Sequence, residues 1–312
     1  MEPAIAPDTA PAPQISVVIP HLNQPAELAR GLAALAAQAD APPFEAIVVD
    51  NGSAVLPETE VAAHPFARLL AEPEPGPGPA RNRGAAAARA PVLGFIDADC
   101  RAAPGWLAAI WSRLGPEAPG RPEVLGGDVR IPREAPRTSA LEAYESIYAY
   151  RMEHYIARQG FTGTGNLAMR AESFARVGPF AGIGVAEDRD WGRRAGALGL
   201  GLGYVPEMVV YHPARRSFTE YFAKIDRQMA HDFAELPRGA GARLRWAAKA
   251  AALALSPPAE LPRILREDRV AGPRERALAI YALARIRAYR ARRMLALLVA
   301  GDARRGAATW NR

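Results

Sequence analysis

Four short apolar runs mark the first hundred positions: Ile15-Ser-Val-Val-Ile-Pro20, Glu45-Ala-Ile-Val-Val-Asp50, the weaker Arg68-Leu-Leu-Ala71, and Pro91-Val-Leu-Gly-Phe-Ile96. Runs of this length, rich in β-branched residues and stopped by turn formers, predict strands buried on both faces. Between them the apolar spacing becomes helical, with Leu28, Leu32 and Leu35 in 25–39 and small residues through 80–90. Pro104 opens a further helix through Trp106, Leu107, Ile110 and Trp111, as proline suits a first helical turn. Buried strands alternating with helices predict an α/β sheet, with ligands gathered at the strand C-terminal ends.

Beyond Gly115 the pattern changes. A strand is expected over 124–131 and an aromatic-rich helix over 141–158. Two glycine-rich segments follow, Thr162-Gly-Thr-Gly-Asn166 and Val177-Gly-Pro-Phe180. Next come the acidic cluster Glu187-Asp-Arg-Asp-Trp191 and a late strand, Met208-Val-Val-Tyr-His212. Residues 217–312 read as helical, interrupted near Ser256-Pro-Pro258, and the chain has no internal repeat. These patterns divide it into a disordered arm (1–14), an α/β domain (15–213) and a basic helical region (214–312).

The arm has neither a basic start nor an apolar stretch, so it does not read as a signal peptide. No segment reaches the roughly 18 apolar residues of a spanning helix. Cys100 is the only cysteine, which excludes an internal disulfide and fits a reducing compartment. The expected location is cytoplasmic, or peripheral on the inner face of the membrane. The net charge of +6 conceals an asymmetry: residues 214–312 hold 21 basic and 9 acidic residues, whereas the remainder holds 18 and 24. An acidic body with a basic tail suggests two surfaces with different partners. Nucleic acid is not expected among them. An anionic membrane surface is one partner for the tail, and a helical cap with solvated arginines is the alternative. The apolar residues of 278–298 do not settle on one clean face of a helical wheel.

The polar residues at the strand ends carry the candidate chemistry. Asn23 follows the first strand, Asp50 ends the second, and Asp97 and Asp99 follow the fourth. Side chains two apart on a strand share a side, so two such carboxylates repel unless a cation lies between them. Oxygen ligands suit Mg²⁺ or Mn²⁺. Gly76-Pro-Gly78 invites a dinucleotide reading, but Arg81 stands where the third glycine of that fingerprint belongs.

Six segments in order resemble the signatures of the family-2 glycosyltransferases: Val17-Val-Ile-Pro-His-Leu-Asn23, Val48-Val-Asp-Asn-Gly-Ser53, Pro79-Ala-Arg-Asn-Arg-Gly84, Phe95-Ile-Asp-Ala-Asp99, Gly163-Thr-Gly-Asn166 and Glu187-Asp188. Each is weak alone; their order and spacing across the first two thirds of the chain make the match specific. The resemblance implies a GT-A fold, a Rossmann-like mixed sheet flanked by helices, followed here by the mostly helical C-terminal region. It also implies a metal-dependent inverting transferase that takes a sugar from a nucleotide-diphosphate sugar.

The resemblance assigns roles to residues. Asp50, with the backbone around Pro20 and with Asn23, would hold the base or ribose; alternatively Asp50 caps the turn at Asn51-Gly52. Arg81 would face the donor diphosphate. Asp99 would ligate a divalent cation (Mn²⁺ or Mg²⁺), while Asp97 contacts the ribose or the ion. His212 would complete the metal shell or be structural. Asp188 would be the base that deprotonates the acceptor hydroxyl, with Glu187 raising its pKa or orienting it, and Asp190 is a competitor. Asn166 would bond the donor sugar or acceptor, or serve a turn. Trp191 would stack on an acceptor ring or pack in the core. His21 and Leu22 depart from the threonine and aromatic common at their places. Partners implied are a nucleotide-sugar donor and a saccharide or lipid-linked acceptor, in cell-envelope or exported polysaccharide synthesis. A sugar-1-phosphate nucleotidylyltransferase would need a glycine-rich N-terminal loop, which Pro20-His-Leu-Asn23 lacks. A non-catalytic sugar-binding or membrane scaffold is opposed by the intact Asp97, Asp99 and Asp188.

Overall fold

The computed structural model describes residues 11–118, 122–133 and 137–300. Most of the arm expected over 1–14 and the end of the basic region lie outside these described residues. The chain forms two compact units, Met1–Val129 with Arg151–His212 and Arg130–Tyr150 with Pro213–Arg312. Residues 130–150 thus group with the helical tail although they lie within 15–213.

The elements of the first half are β1 (Ile15–His21), α1 (Pro25–Ala36), β2 (Phe44–Asp50), α2 (Glu58–Ala62), β3 (Ala67–Ala71), α3 (Pro77–Ala87), β4 (Val92–Ile96), β5 (Arg101–Ala102) and α4 (Trp106–Leu114). After them come β6 (Val124–Arg130), α5 (Ala140–Tyr148), α6 (Met152–Gln159), β7 (Asn166–Arg170), α7 (Ala171–Val177), α8 (Glu187–Ala197) and β8 (Leu202–Tyr211). The tail holds α9 (Phe218–Ala234), α10 (Ala240–Leu255), α11 (Leu261–Arg266) and α12 (Gly272–Ala300).

In the first unit an eight-stranded sheet runs β3-β2-β1-β4-β7-β6-β8-β5. The strands β3, β2, β1 and β4 are parallel; β7 is antiparallel to β4 and β6, and β5 to β8. Alternation along β1 sorts its residues between two cores. Val17 and Ile19 pack with Leu28, Leu32 and Trp106, whereas Val18 packs with Phe95, Phe180 and Trp191. Helix α3 lies so close to the sheet that a Cβ at Gly84 would sit 2.4 Å from Val18 Cγ1, which accounts for the glycine in that motif.

Two expectations need correction. The helix expected over 141–158 is two helices, because Tyr150 between them has φ +50°, a left-handed conformation that ends a helix. A capping box of Ser139 and Glu142 starts α5. The late strand is also longer, since β8 begins at Leu202.

The second unit has its own core, in which Leu141, Tyr144 and Ile147 of α5 pack with Ile225, Met229, Trp246 and one face of α12. That face is Ala279, Ala282, Leu283, Ile286, Met294 and Leu297, a helical stripe carried partly by alanine. Several of the unit's arginines are tied into ion pairs, among them Arg215–Glu145 at 2.7 Å, Arg287–Glu260 at 2.6 Å and Arg293–Asp226 at 3.1 Å. Among the described residues no helix is long and apolar enough to cross a membrane.

Candidate active site

The C-terminal ends of β1, β2 and β4 converge with the starts of α3 and α8 and the end of β8. At the centre is Arg81, placed in the first turns of α3 by the proline-rich entry Pro77-Gly-Pro79. Its side chain is only 4% exposed and forms two ion pairs, Nη2 with Asp97 Oδ1 at 2.6 Å and Nη1 with Glu187 Oε1 at 3.2 Å. Its Nε is buried without a partner. One guanidinium thus gathers a carboxylate from the end of β4 and another from the start of α8. Asp97 lies against the loop before β7, where a Cβ at Gly165 would come within 2.6 Å of Asp97 Oδ2.

Asp99 faces away from this pair toward the end of β8. Its Oδ2 is 3.6 Å from His212 Nε2 and its Oδ1 is 3.7 Å from Cys100 Sγ. Burial raises the Asp99 pKa; His212 opposes the rise and Asp97 adds to it. On α8, burial raises the pKa of Asp188 despite a hydrogen bond from the Arg189 amide. Burial likewise raises Glu187 and outweighs Arg81. Asp188 also lines a small cavity with Thr162, Thr164, Phe180 and Trp191.

The glycosyl transferase family 2 profile matches residues 16–176, just over half of the chain. The chain belongs to glycosyl transferase family 2. The fold of this glycosyltransferase is shared with the mannosyltransferase PcManGT of Pyrobaculum calidifontis, solved with GDP-Man and Mn²⁺, at TM-score 0.56 and 18% identity over 95% of this chain and 90% of that one. Staphylococcus aureus TarS, residues 1–349 with UDP-GlcNAc, gives TM-score 0.50 and 17% identity over 86% and 79%. A mycobacterial protein gives 0.50 and 25% over 70% and 73%. No curated protein resembles the chain closely enough in sequence to count as a match. The sheet and its flanking helices are those of the GT-A fold.

Several candidate side chains of this glycosyltransferase are held by partners within the protein. Asp50 is 2% exposed; its Oδ2 accepts from the Gly52 and Ser53 amides, and its Oδ1 lies 2.9 Å from His21 Nδ1. Burial would raise its pKa, but these bonds lower it. His21 Nε2 accepts from the Gln24 amide, which puts the ring proton on Nδ1, donated to Asp50. The histidine that departs from the family pattern therefore braces the turn after β2. Asn23, at φ +53°, accepts from the Ala54 amide and donates its own amide to Ser53 Oγ. Pro20 lies in β1 opposite Val49.

Asn166 is a correction: it is not a loop residue open to a sugar. It begins β7 at 0% exposure, donating to the Asp128 and Met208 carbonyls and accepting from Trp106 Nε1. Trp191 packs in the core, one of its two expected uses, on Phe174 and Phe180 with its Nε1 donating to the Gly178 carbonyl. Arg81, expected to face the donor diphosphate, is engaged by two carboxylates. Asp190, the competing base, is paired with Arg194.

Sequence reasoning missed two asparagines inside the quoted motifs. Asn51 donates to the carbonyls of Glu72 and Glu74 and accepts from the Gly76 amide. Asn82 exchanges two hydrogen bonds with the Phe180 backbone. Both fix the glycine-rich loops that border the site. Their signal was the motif itself, in which they sit beside the charged residues that drew the assignments.

Proposed function

We propose that this glycosyltransferase transfers a sugar, with inversion, from a nucleotide-diphosphate sugar to a hydroxyl acceptor, and that a divalent cation assists. The observation that carries the reading is the Arg81 bridge, which brings the Asp97 carboxylate and the Glu187-Asp188 pair to one site from distant parts of the chain. Asp188 takes the acceptor hydroxyl proton as that oxygen bonds to the anomeric carbon. The bond to the nucleotide diphosphate breaks on the opposite face and its electron pair leaves with the phosphate. The raised pKa of Asp188 makes it a stronger base than an exposed carboxylate. Arg81 offsets the charge of Asp97 and Glu187 and keeps both oriented. His21 and Asp50 stiffen the strand ends that would border the nucleotide.

The donor set at the end of β4 fits a cation: the carboxylate of Asp99 and the imidazole of His212 are close enough to share one. Bound there, the ion would offset negative charge developing on the departing diphosphate. Binding of UDP or GDP, followed by thermal shift, is expected to strengthen with Mn²⁺, and Asp99→Ala to abolish that dependence without unfolding the chain. Equal nucleotide affinity in EDTA and in Mn²⁺ removes the metal from the reading.

The acceptor class we favour is a saccharide or lipid-linked glycan of envelope or exported polysaccharide synthesis, with the enzyme peripheral on an anionic membrane. The basic excess of 214–312 supports this, as do the exposed Leu244, Leu255, Leu265 and Val299 of the second unit.

A further inference from the structure

Beside Asp99 and His212 stands a third donor. Asp99, Cys100 and His212 each offer one atom, and these atoms all lie within 4.8 Å of one another. The Asp99 carboxylate reaches Cys100 Sγ at 3.7 Å and His212 Nε2 at 3.6 Å. Metal–ligand bonds of about 2.0–2.3 Å at tetrahedral angles place neighbouring donors roughly 3.3–3.8 Å apart. The distances from Asp99 Oδ1 to Cys100 and from Asp99 Oδ2 to His212 fall in that range, and a small side-chain adjustment within the 4.8 Å cluster brings all three onto one ion. Each donor is set by the backbone: Asp99 and Cys100 by the turn after β4, where the Cys100 amide bonds the Asp97 carbonyl, and His212 by the end of β8, which pairs with β5. The set is one oxygen, one nitrogen and one sulfur, unlike the oxygen shells that Mg²⁺ prefers.

We propose that Cys100 ligates the same ion as Asp99 and His212, forming a mixed centre that takes Zn²⁺ or Co²⁺ ahead of Mn²⁺ and discriminates against Mg²⁺. This rests on the reading that Asp99 and His212 hold the donor-site cation, and it names which ions that site selects. The affinity order for nitrogen, oxygen and sulfur sites rises from Mn²⁺ through Co²⁺, and sulfur steepens it because a soft ligand gains little from a hard ion. The thiol proton passes to solvent as the sulfur–metal bond forms.

The test is a Co²⁺ titration of the full chain, stripped with EDTA and exchanged into thiol-free buffer. A thiolate-to-cobalt charge-transfer band is expected in the near ultraviolet, saturating at one equivalent, with the intense visible bands of a four-coordinate ion. Cys100 is the only cysteine, so the band has a single source. Zn²⁺ should erase it and excess Mg²⁺ should leave it. Cys100→Ala should lose the band while still binding Co²⁺ more weakly, and Asp99→Ala should lose both. Because Cys100 is buried, X-ray absorption on the unaltered Zn²⁺-loaded protein provides a second measurement, with a Zn–S shell expected near ~2.3 Å. One equivalent of Co²⁺ bound with no charge-transfer band, or a zinc site with no sulfur shell, overturns the role of Cys100 and leaves the cation reading standing. If the unaltered protein binds none of Co²⁺, Zn²⁺ and Mn²⁺, with or without UDP or GDP, both fall.

Discussion

The arginine pairs that brace the helical unit differ from the arginine bridge at the candidate site of the sheet unit. In the helical unit each paired arginine meets carboxylates that also collect other donors. Burial alone would raise Glu260 and Glu275, but Arg287 and Tyr148 on the first, and Thr138 and Arg133 on the second, hold both below the usual carboxylate range. In the sheet unit a single guanidinium is divided between Asp97 and Glu187, and Glu187 and Asp188 stay above that range. Carboxylates with ample partners hold a fold together. Glu187 and Asp188, raised because burial outweighs their partners, remain ready to accept a proton.

Deleting residues 274–312 should have the largest effect. Because α12 supplies much of the second core, truncation should unfold that unit and cause aggregation whether or not lipid is present. A truncated protein that melts like the intact one would contradict this. Sedimentation of the intact protein with anionic vesicles, reversed by salt, tests the membrane contact separately.

Next in size is the base. Asp188→Asn should lower transfer by about 10²–10⁴-fold while nucleotide binding persists, and Asp190→Asn should do far less. The reverse ranking in steady-state kinetics would move the base to Asp190.

Arg81→Met sharpens the contrast from the structural side. Removing one partner of a buried pair costs about 3–5 kcal/mol, reduced here to roughly 2–3 because Asp97 is a third exposed. Denaturant unfolding should register that loss, together with a fall in transfer. Unchanged stability would show that Asp97 and Glu187 do not depend on the bridge.

The smallest effect is in pH. The raised Asp188 pKa means that transfer should decline, as pH falls, at higher pH than an ordinary carboxylate would set. Glu260 and Glu275 are depressed in the fold, so their stabilisation is present above their unfolded pKa and lost only as pH falls through the lowered values. Activity should therefore fail before the second unit loosens. For Asp188 the sign is opposite: its ionised form is disfavoured by folding, so Asp188→Asn should slightly raise the melting temperature at neutral pH. Coincident pH profiles for transfer and melting would collapse the distinction.

The parallel strands and the carboxylates at their tips were legible because period and position carry them: Asp50, Asp97 and Asp99 each follow a run buried on both faces. The neighbours of Arg81 were not, since Glu187 is far along the chain and no local pattern joins them. Asn166 misled because its glycine neighbours imitate a turn, although Trp106 and two carbonyls enclose it in the sheet. The packed stripe of α12 was hidden because alanines carry part of it while Leu295 and Val299 point outward. The break at Tyr150 had no signal, as tyrosine is not a residue that commonly adopts φ +50°.

The division of the chain between the units has a consequence during synthesis. Strand β7, between β4 and β6, leaves the ribosome after α5, so the sheet stays incomplete while a helix of the other unit is already made. Leu141, Tyr144 and Ile147 must then wait for α9 and α12 before their apolar faces are covered. That interval is an opening for chaperones and proteases alike. It also means that residues 213–312, expressed alone, would lack α5 and with it one wall of their own core.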